Sequence, residues 1–98
     1  MKVKGKMKKD LLAVSIEGRV DMESCAQLEK FIEENAQGAE TVEFDFRKVE
    51  YISSAGLRVL LKLRKRYDSD SHVIIRNVSD QVRLIFELTG FTNAVTIM

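Results

Sequence analysis

The sequence predicts an α/β domain in which about three helices cover a mixed β-sheet, mainly parallel with an antiparallel hairpin at its N-terminal edge. Two closely spaced segments with alternating apolar residues at the start predict the hairpin. After them, segments in which apolar and polar residues alternate are separated by segments with helical periodicity. This arrangement is typical of parallel strands joined by helices. The predicted order is β-β-α-β-α-β-α-β, within a single domain over residues 1–98.

The first two predicted strands form the hairpin. Residues 2–8 place a lysine at every second position, and such charged side chains protect an edge strand from pairing with other chains. A turn at residues 8–10 leads into a second strand, which we expect to end at Gly18. Its inward side chains alternate with polar or small ones: Leu12, Val14 and Ile16.

The first predicted helix begins at Asp21, an acceptable N-cap residue that follows the apolar Val20. Apolar side chains at helical spacing predict one buried face: Cys25, Leu28 and Ile32. We expect the helix to end between Asn35 and Gly38. The third strand is predicted at residues 41–46, where Val42, Phe44 and Phe46 alternate.

The second predicted helix covers residues 54–67 and carries a wide apolar surface, which indicates cover from more than one side or a partner. A fourth strand is predicted at residues 72–76. A third helix is expected to open at Ser79 and Asp80 and to close at Gly90, and a short last strand at residues 94–97 completes the sheet.

Two adjacent serines, Ser53 and Ser54, stand where the third strand passes into the second helix. The first turn of a helix has unpaired N–H groups and a partial positive charge, so it accommodates a serine cap or a phosphate group. One cap needs only one serine. The pair is therefore either structural or a modification site, and the residue types alone leave both open.

Three turns between a strand and a helix are expected on one rim of the sheet, at residues 18–21, 52–56 and 77–80. In sheets of this kind, functional residues gather where strands end and helices begin. The rim is therefore the predicted location of the functional site.

Composition and motifs exclude several classes of function. The net charge of +1 provides no overall field for nucleic acid, and no apolar run is long enough for a membrane insertion. A single cysteine, Cys25, forms no internal disulfide and favours the cytoplasm. His72 is the only histidine, so we predict no metal site; no cofactor-binding loop or catalytic motif is present, so we predict no cofactor and no enzyme activity.

Three segments together resemble the STAS domain, specifically the bacterial anti-sigma-factor antagonists. They are residues 12–28, the segment from Phe44 to Leu57 with its core Ser53-Ser54-Ala55-Gly56, and residues 88–91 before the last strand. The resemblance covers nearly the whole chain in the correct order.

This resemblance implies a STAS-like sheet and a switch by phosphorylation. Family members bind an anti-sigma factor that is usually also a serine kinase of the GHKL type, and a PP2C-like phosphatase reverses the modification. Matching the family pattern makes Ser54 the phosphoacceptor, with Ser53 a second candidate because it stands where the family often has Asp. The implied partner-binding residues are Asp21, Ser53, Ser54, Ala55, Gly56 and Leu57.

An alternative keeps the STAS fold without phosphorylation. In this interpretation the chain is a scaffold subunit of a larger assembly, such as an ABC lipid-transport system. Both the missing Asp at position 53 and the apolar second helix favour it. The two interpretations differ in whether partner binding depends on the chemistry of Ser54.

Overall fold

A computed structural model describes residues 1–98, apart from the side chain of residue 70. Five strands form one sheet in chain order, antiparallel between the first two strands and parallel thereafter. The strands are β1 (Lys2–Lys8), β2 (Leu11–Val20), β3 (Thr41–Ile52), β4 (Val73–Arg76) and β5 (Thr96–Ile97). The helices are α1 (Cys25–Asn35), α2 (Ser54–Arg64) and α3 (Asp80–Thr89), with short 3₁₀ helices at Asp70–His72 and Phe91–Asn93. The predicted fold class and element order are confirmed.

All three helices contribute to one core on one face of the sheet. Alternate residues of β2, β3 and β4 are buried there, including Val14, Phe44 and Ile75. Phe46 links β3 to α3, because its ring lies 6.0 Å from that of Phe86. Side chains on the opposite face of β2, β3 and β4 remain partly or fully exposed. The protein is therefore a two-layer structure with one open sheet face.

Two strands are longer than the sequence predicted. β2 continues past Gly18 to Val20, and β3 continues past Phe46 to Ile52. The two strands stay paired to their ends, with irregularities in register that change which residues face the core. Gly18 has a φ of +102°, which few other residues adopt, and this backbone keeps the strand in the sheet where an ending was expected.

The ends of three other elements also differ from the prediction. Helix α1 begins at Cys25, four residues after Asp21, because residues 22–24 first form a turn. Helix α2 ends at Arg64 instead of residue 67, and β5 is limited to Thr96–Ile97. The predicted openings of α2 and α3 are confirmed, and Gly90 closes α3 with a φ of +75°.

Polar contacts account for the basic end of α2 and for His72. Lys62 pairs with Glu29 at 3.2 Å, and Arg66 pairs with Glu33, so these cations connect α2 and the turn after it to α1. Arg64 Nε donates to the carbonyl of Ala94 at 2.6 Å. His72 lies at the end of a 3₁₀ helix and not in a strand, with its ring stacked 5.5 Å from that of Tyr67.

Candidate functional site

The site is built where β2 and β3 end side by side. The amide of Ser53 donates to the carbonyl of Val20 at 2.8 Å, so the two turns that follow these strands are joined by the backbone. Asp21 directly follows Val20, and Ser54 directly follows Ser53. The structure therefore brings Asp21 and the serine pair together, as the sequence predicted.

The third predicted turn lies elsewhere along the sheet. Asn77 donates to Asp45 Oδ1 at 3.1 Å, in the first half of β3, because β4 is short and ends opposite Asp45. Residues 77–80 follow the carboxyl end of a parallel strand, as expected, but they lie beside the first half of β3 and away from the other two turns. Only the turns after β2 and β3 form the candidate site.

The two serines differ in their contacts. Ser53 is the N-cap of α2, half-buried, and its hydroxyl accepts the amide of Gly56 at 3.2 Å. Ser54 is the first residue of α2 and is exposed, and among the described side chains its hydroxyl has no hydrogen-bond partner. Ser53 thus serves the helix, while Ser54 leaves a free hydroxyl in solvent beside the positive end of the helix.

The three residues after the serines pack against the core and fix the position of the N-terminal turn of α2. Gly56 and Leu57 are buried, and Ala55 is half-buried. A Cβ placed on Gly56 would lie 2.7 Å from Val20 Cγ1, so only glycine lets α2 approach β2 this closely. Leu57 is part of the hydrophobic core and anchors the N-terminal turn of α2.

Asp21 organises the neighbouring turn. Its Oδ1 accepts the amides of Glu23 and Ser24, each at 3.1 Å. The hydroxyl of Ser24 accepts the amide of Asp21 at 3.0 Å, which makes a reciprocal pair of caps. Hydrogen bonding from Ser24 is the largest cause that lowers the pKa of Asp21 from its usual 3.8. The carboxylate is accordingly held in its charged form at the surface.

Two features of the site were missed by the sequence reasoning. The guanidinium of Arg19 lies 4.6 Å from the ring centre of Tyr51, because these residues are neighbours across β2 and β3. The second feature is Ser24, which the sequence did not single out and which exchanges hydrogen bonds with Asp21 in the turn before α1. The Arg19–Tyr51 neighbourhood could be found only with the strand register, since the late part of β3 was not predicted.

The charged and polar groups here do not form a metal centre. Among the described residues no group of His, Cys, Asp and Glu is arranged to hold a metal ion. No helix within those residues has the length and hydropathy needed to cross a bilayer. The site presents a hydroxyl, a carboxylate and a helix N-terminus on the surface.

Comparison with known proteins identifies the family. The family model described as "Mlab, STAS domain" matches residues 6–97. BtrV of Bordetella bronchiseptica, a protein assigned to the anti-sigma factor antagonists, is 31% identical over 83 residues, which cover 83% of this chain and 72% of BtrV.

Solved structures share the fold at lower identity. An anti-sigma factor antagonist from Mycobacterium paratuberculosis superposes with a TM-score of 0.85 at 21% identity, covering 98% of this chain and 83% of that one. The anti-sigma factor antagonist SpoIIAA in its unphosphorylated form gives 0.75 at 16%, covering 99% and 87%. The phosphorylated form of SpoIIAA, a Bacillus protein, gives 0.73 at 16%, covering 99% and 91%. The chain therefore belongs to the STAS domain family and is a relative of the bacterial anti-sigma factor antagonists.

Proposed function

We propose that this protein is an anti-sigma factor antagonist whose partner binding is switched off by phosphorylation of Ser54. The observation that carries the proposal is the asymmetry of the serine pair, in which Ser53 caps α2 and Ser54 is exposed with a free hydroxyl. In this proposal residues 1–98 act as one STAS domain in the cytoplasm. The identity with BtrV supports the class of function.

The proposed partner is an anti-sigma factor that is also a serine kinase of the GHKL type. In the kinase reaction, Ser54 Oγ forms a bond to the γ-phosphorus of ATP while the bond to ADP breaks, and the hydroxyl proton passes to a base on the kinase. A PP2C-like phosphatase would restore the hydroxyl by hydrolysis. The exposed position of Ser54 leaves its Oγ open to a second protein.

Phosphate at Ser54 is compatible with the fold. It adds about −1.5 to −2 charges next to the N-terminus of α2, where negative charge is favoured. Arg58 lies four residues further along the same helix face and is exposed, so it can approach the phosphate. An interface that covers Ser54, in contrast, would have to desolvate this charge. Phosphorylation should thus end binding and leave the protein folded.

Asp21, Ser53, Ser54, Ala55, Gly56 and Leu57 are the proposed partner-binding region. Asp21 and Ser54 are its polar surface groups, and Ser53 holds the helix opening that presents Ser54. Gly56 and Leu57 are buried beneath it. Ser53 is the less favoured acceptor, because its modification would disturb the hydrogen bond to Gly56.

Binding and mass measurements test this proposal. Wild type, Ser54→Ala and Ser54→Asp serve as baits for a lysate, and captured proteins are identified by mass spectrometry. Ser79→Asp is the matched control, because it adds the same charge to the N-terminus of α3. We expect a GHKL-type kinase on wild type, Ser54→Ala and Ser79→Asp, and its loss from Ser54→Asp. With ATP, that kinase should add one phosphate to wild type and none to Ser54→Ala.

A scaffold subunit without phosphorylation is the second candidate. It is favoured by the absence of a carboxylate at position 53, since the nearby carboxylate of Asp21 is already engaged by Glu23 and Ser24. In that case the same partner, such as a subunit of an ABC lipid-transport system, is captured equally by all baits. Equal capture together with no phosphate transfer would refute the switch.

A further inference from the structure

The open face of the sheet concentrates positive charge that the net charge of the protein conceals. On the part of this face that extends to Glu17 on β2 and Lys48 on β3, the strand registers and the cavity lining place seven cations and three carboxylates, out of 16 and 15 in the chain. This part of the face is therefore about four charges positive, and the rest of the sequence is about three charges negative. The cations are Lys2, Lys4, Lys6, Lys8, Arg47, Lys48 and Arg76.

Five of these cations border a trough along β2: Lys2, Lys4, Lys6, Arg47 and Lys48. The β1 lysines form one wall, and Arg47 and Lys48 stand at the far end of the other. Its floor is low, because the side chains that β2 directs outward there are small, Ala13 and Ser15. Two adjoining cavities of about 260 and 390 Å³ make up the trough. The two cavities share Lys4, Ser15 and Asp45, so the space is continuous along the direction of β2, as an extended chain would require.

Two of the three carboxylates in the trough, those of Glu43 and Asp45, are already engaged, whereas no lysine of β1 is engaged by a described side chain. Glu43 pairs with Arg76 at 2.6 Å, and Asp45 accepts from the amide of Arg47 and from Asn77. Glu17 lies beside both Lys2 and Lys48 in the strand register. Among the described side chains, no lysine of β1 lies in an ion pair. The positive wall is thus available to an external anion.

The spacing of the lysines defines that anion further. Every second residue of a strand points to the same side, so the β1 ammonium groups repeat at about 6.8 Å. An extended peptide with a carboxylate at every second position has the same repeat. We propose that the trough is a second docking surface, which binds an acidic, extended segment of a partner protein. This surface is on the face of the sheet opposite the helices and does not depend on the chemistry of Ser54.

The geometry favours a peptide over other polyanions. A lipid surface is usually bound with large apolar side chains among the cations, and the floor of this trough has only Ala13 and Ser15 in its centre. A nucleic-acid duplex is far wider than one extended chain. Edge protection explains charge on β1, but it does not explain Arg47 and Lys48 on the inner strand β3.

Reversing the charge of the β1 lysines distinguishes peptide docking from edge protection as the role of these residues. The probe is a fluorescent peptide of about ten residues with alternating Glu and Ser, and its reference has Gln in place of Glu. Lys4→Glu/Lys6→Glu keeps a charged edge, so protection is retained while docking is lost. We expect at least roughly tenfold weaker binding, and a similar direction for Lys48→Glu from the opposite wall. Wild-type affinity should fall steeply between about 50 and 300 mM salt.

The matched control is Lys30→Glu/Lys65→Glu, which changes the net charge equally on the helix side. It should bind the probe nearly as well as wild type. Circular dichroism confirms that each variant is folded. Equal weakening by the control pair, equal binding of the Gln peptide, or no binding at low salt would each overturn the proposal. Tighter binding of phosphatidylglycerol vesicles or duplex DNA through the same lysines would also do so.

Discussion

Because α2 approaches β2 closely at Gly56, we predict that Gly56→Ala destabilises the protein, contrary to the usual effect of this substitution in helices. Replacing glycine by alanine inside a helix normally stabilises it by about 1 kcal/mol. Here the new methyl group would lie 2.7 Å from Val20 Cγ1 and 2.9 Å from Ile52 Cγ1, both of them buried side chains. Overpacking of this kind costs about 1–3 kcal/mol, which outweighs the gain in helix propensity, so Gly56→Ala should lower the free energy of unfolding by up to about 2 kcal/mol.

Urea unfolding followed by circular dichroism measures this change, and thermal unfolding should show a Tm lower by up to roughly 16 °C. The Cβ would also lie 3.2 Å from the carbonyl of Val20, which accepts the amide of Ser53. The substitution therefore pushes on the hydrogen bond that joins the two turns of the candidate site. Weaker partner binding should accompany the loss of stability.

A double-mutant cycle with Val20→Ala identifies the cause. Removing the Val20 methyl groups makes room for the new Cβ, so Gly56→Ala should cost about 1 kcal/mol less in the Val20→Ala background. If Gly56→Ala instead raises the free energy of unfolding by about 1 kcal/mol, as in an uncrowded helix, the argument from close approach is refuted. An additive cycle would contradict the role given to Val20.

Three further predictions concern the helix caps, the hydrogen bonds donated by Arg64 and the pH dependence of stability. Ser53→Ala should cost about 1 kcal/mol of stability because it removes the cap of α2, and Ser54→Ala should be nearly neutral. Arg64→Met should cost about 1–3 kcal/mol, because Arg64 donates to carbonyls at the end of α2 and before β5. The lowered pKa of Asp21 means that its stabilising effect is present above about pH 3.8 and is lost as the pH falls through the lower, folded-state pKa. Asp21→Asn should therefore flatten the acid limb of the stability curve.

Urea titrations at several pH values check all three. Equal costs for Ser53→Ala and Ser54→Ala would contradict the assignment of the cap, and Ser79→Ala provides a reference for cap removal at α3. An Arg64→Lys variant keeps the charge but not the planar donors, so full stability in that variant would refute the hydrogen-bond account. An unchanged acid limb in Asp21→Asn would show that the Asp21 carboxylate does not contribute.

The periodicity of the sequence predicted the fold class because side-chain spacing is a local property. Alternating Val42, Phe44 and Phe46 and the helical spacing of Val82 and Phe86 required no knowledge of distant residues. The late half of β3 was missed, because residues 47–52 belong to the sheet only through pairing with β2. Gly18 predicts a strand end, but glycine is compatible with either a turn or an irregular strand, and its φ of +102° here belongs to a strand that continues through pairing with β3.

By itself, the sequence determined that a serine pair opens α2 behind a strand and that the chain resembles the STAS family, because caps and motifs are read from neighbouring residues. Only the tertiary structure decided which serine is free, since pairing with β2 holds β3 in the sheet up to Ile52 and the Ser53 amide on Val20, which makes Ser53 the cap of α2. It also decided that the lysines of β1 share a face with Arg47 and Lys48, since strand register sets which charges lie side by side. Net charge is a sum over the chain, whereas a binding surface depends on where each charge lies.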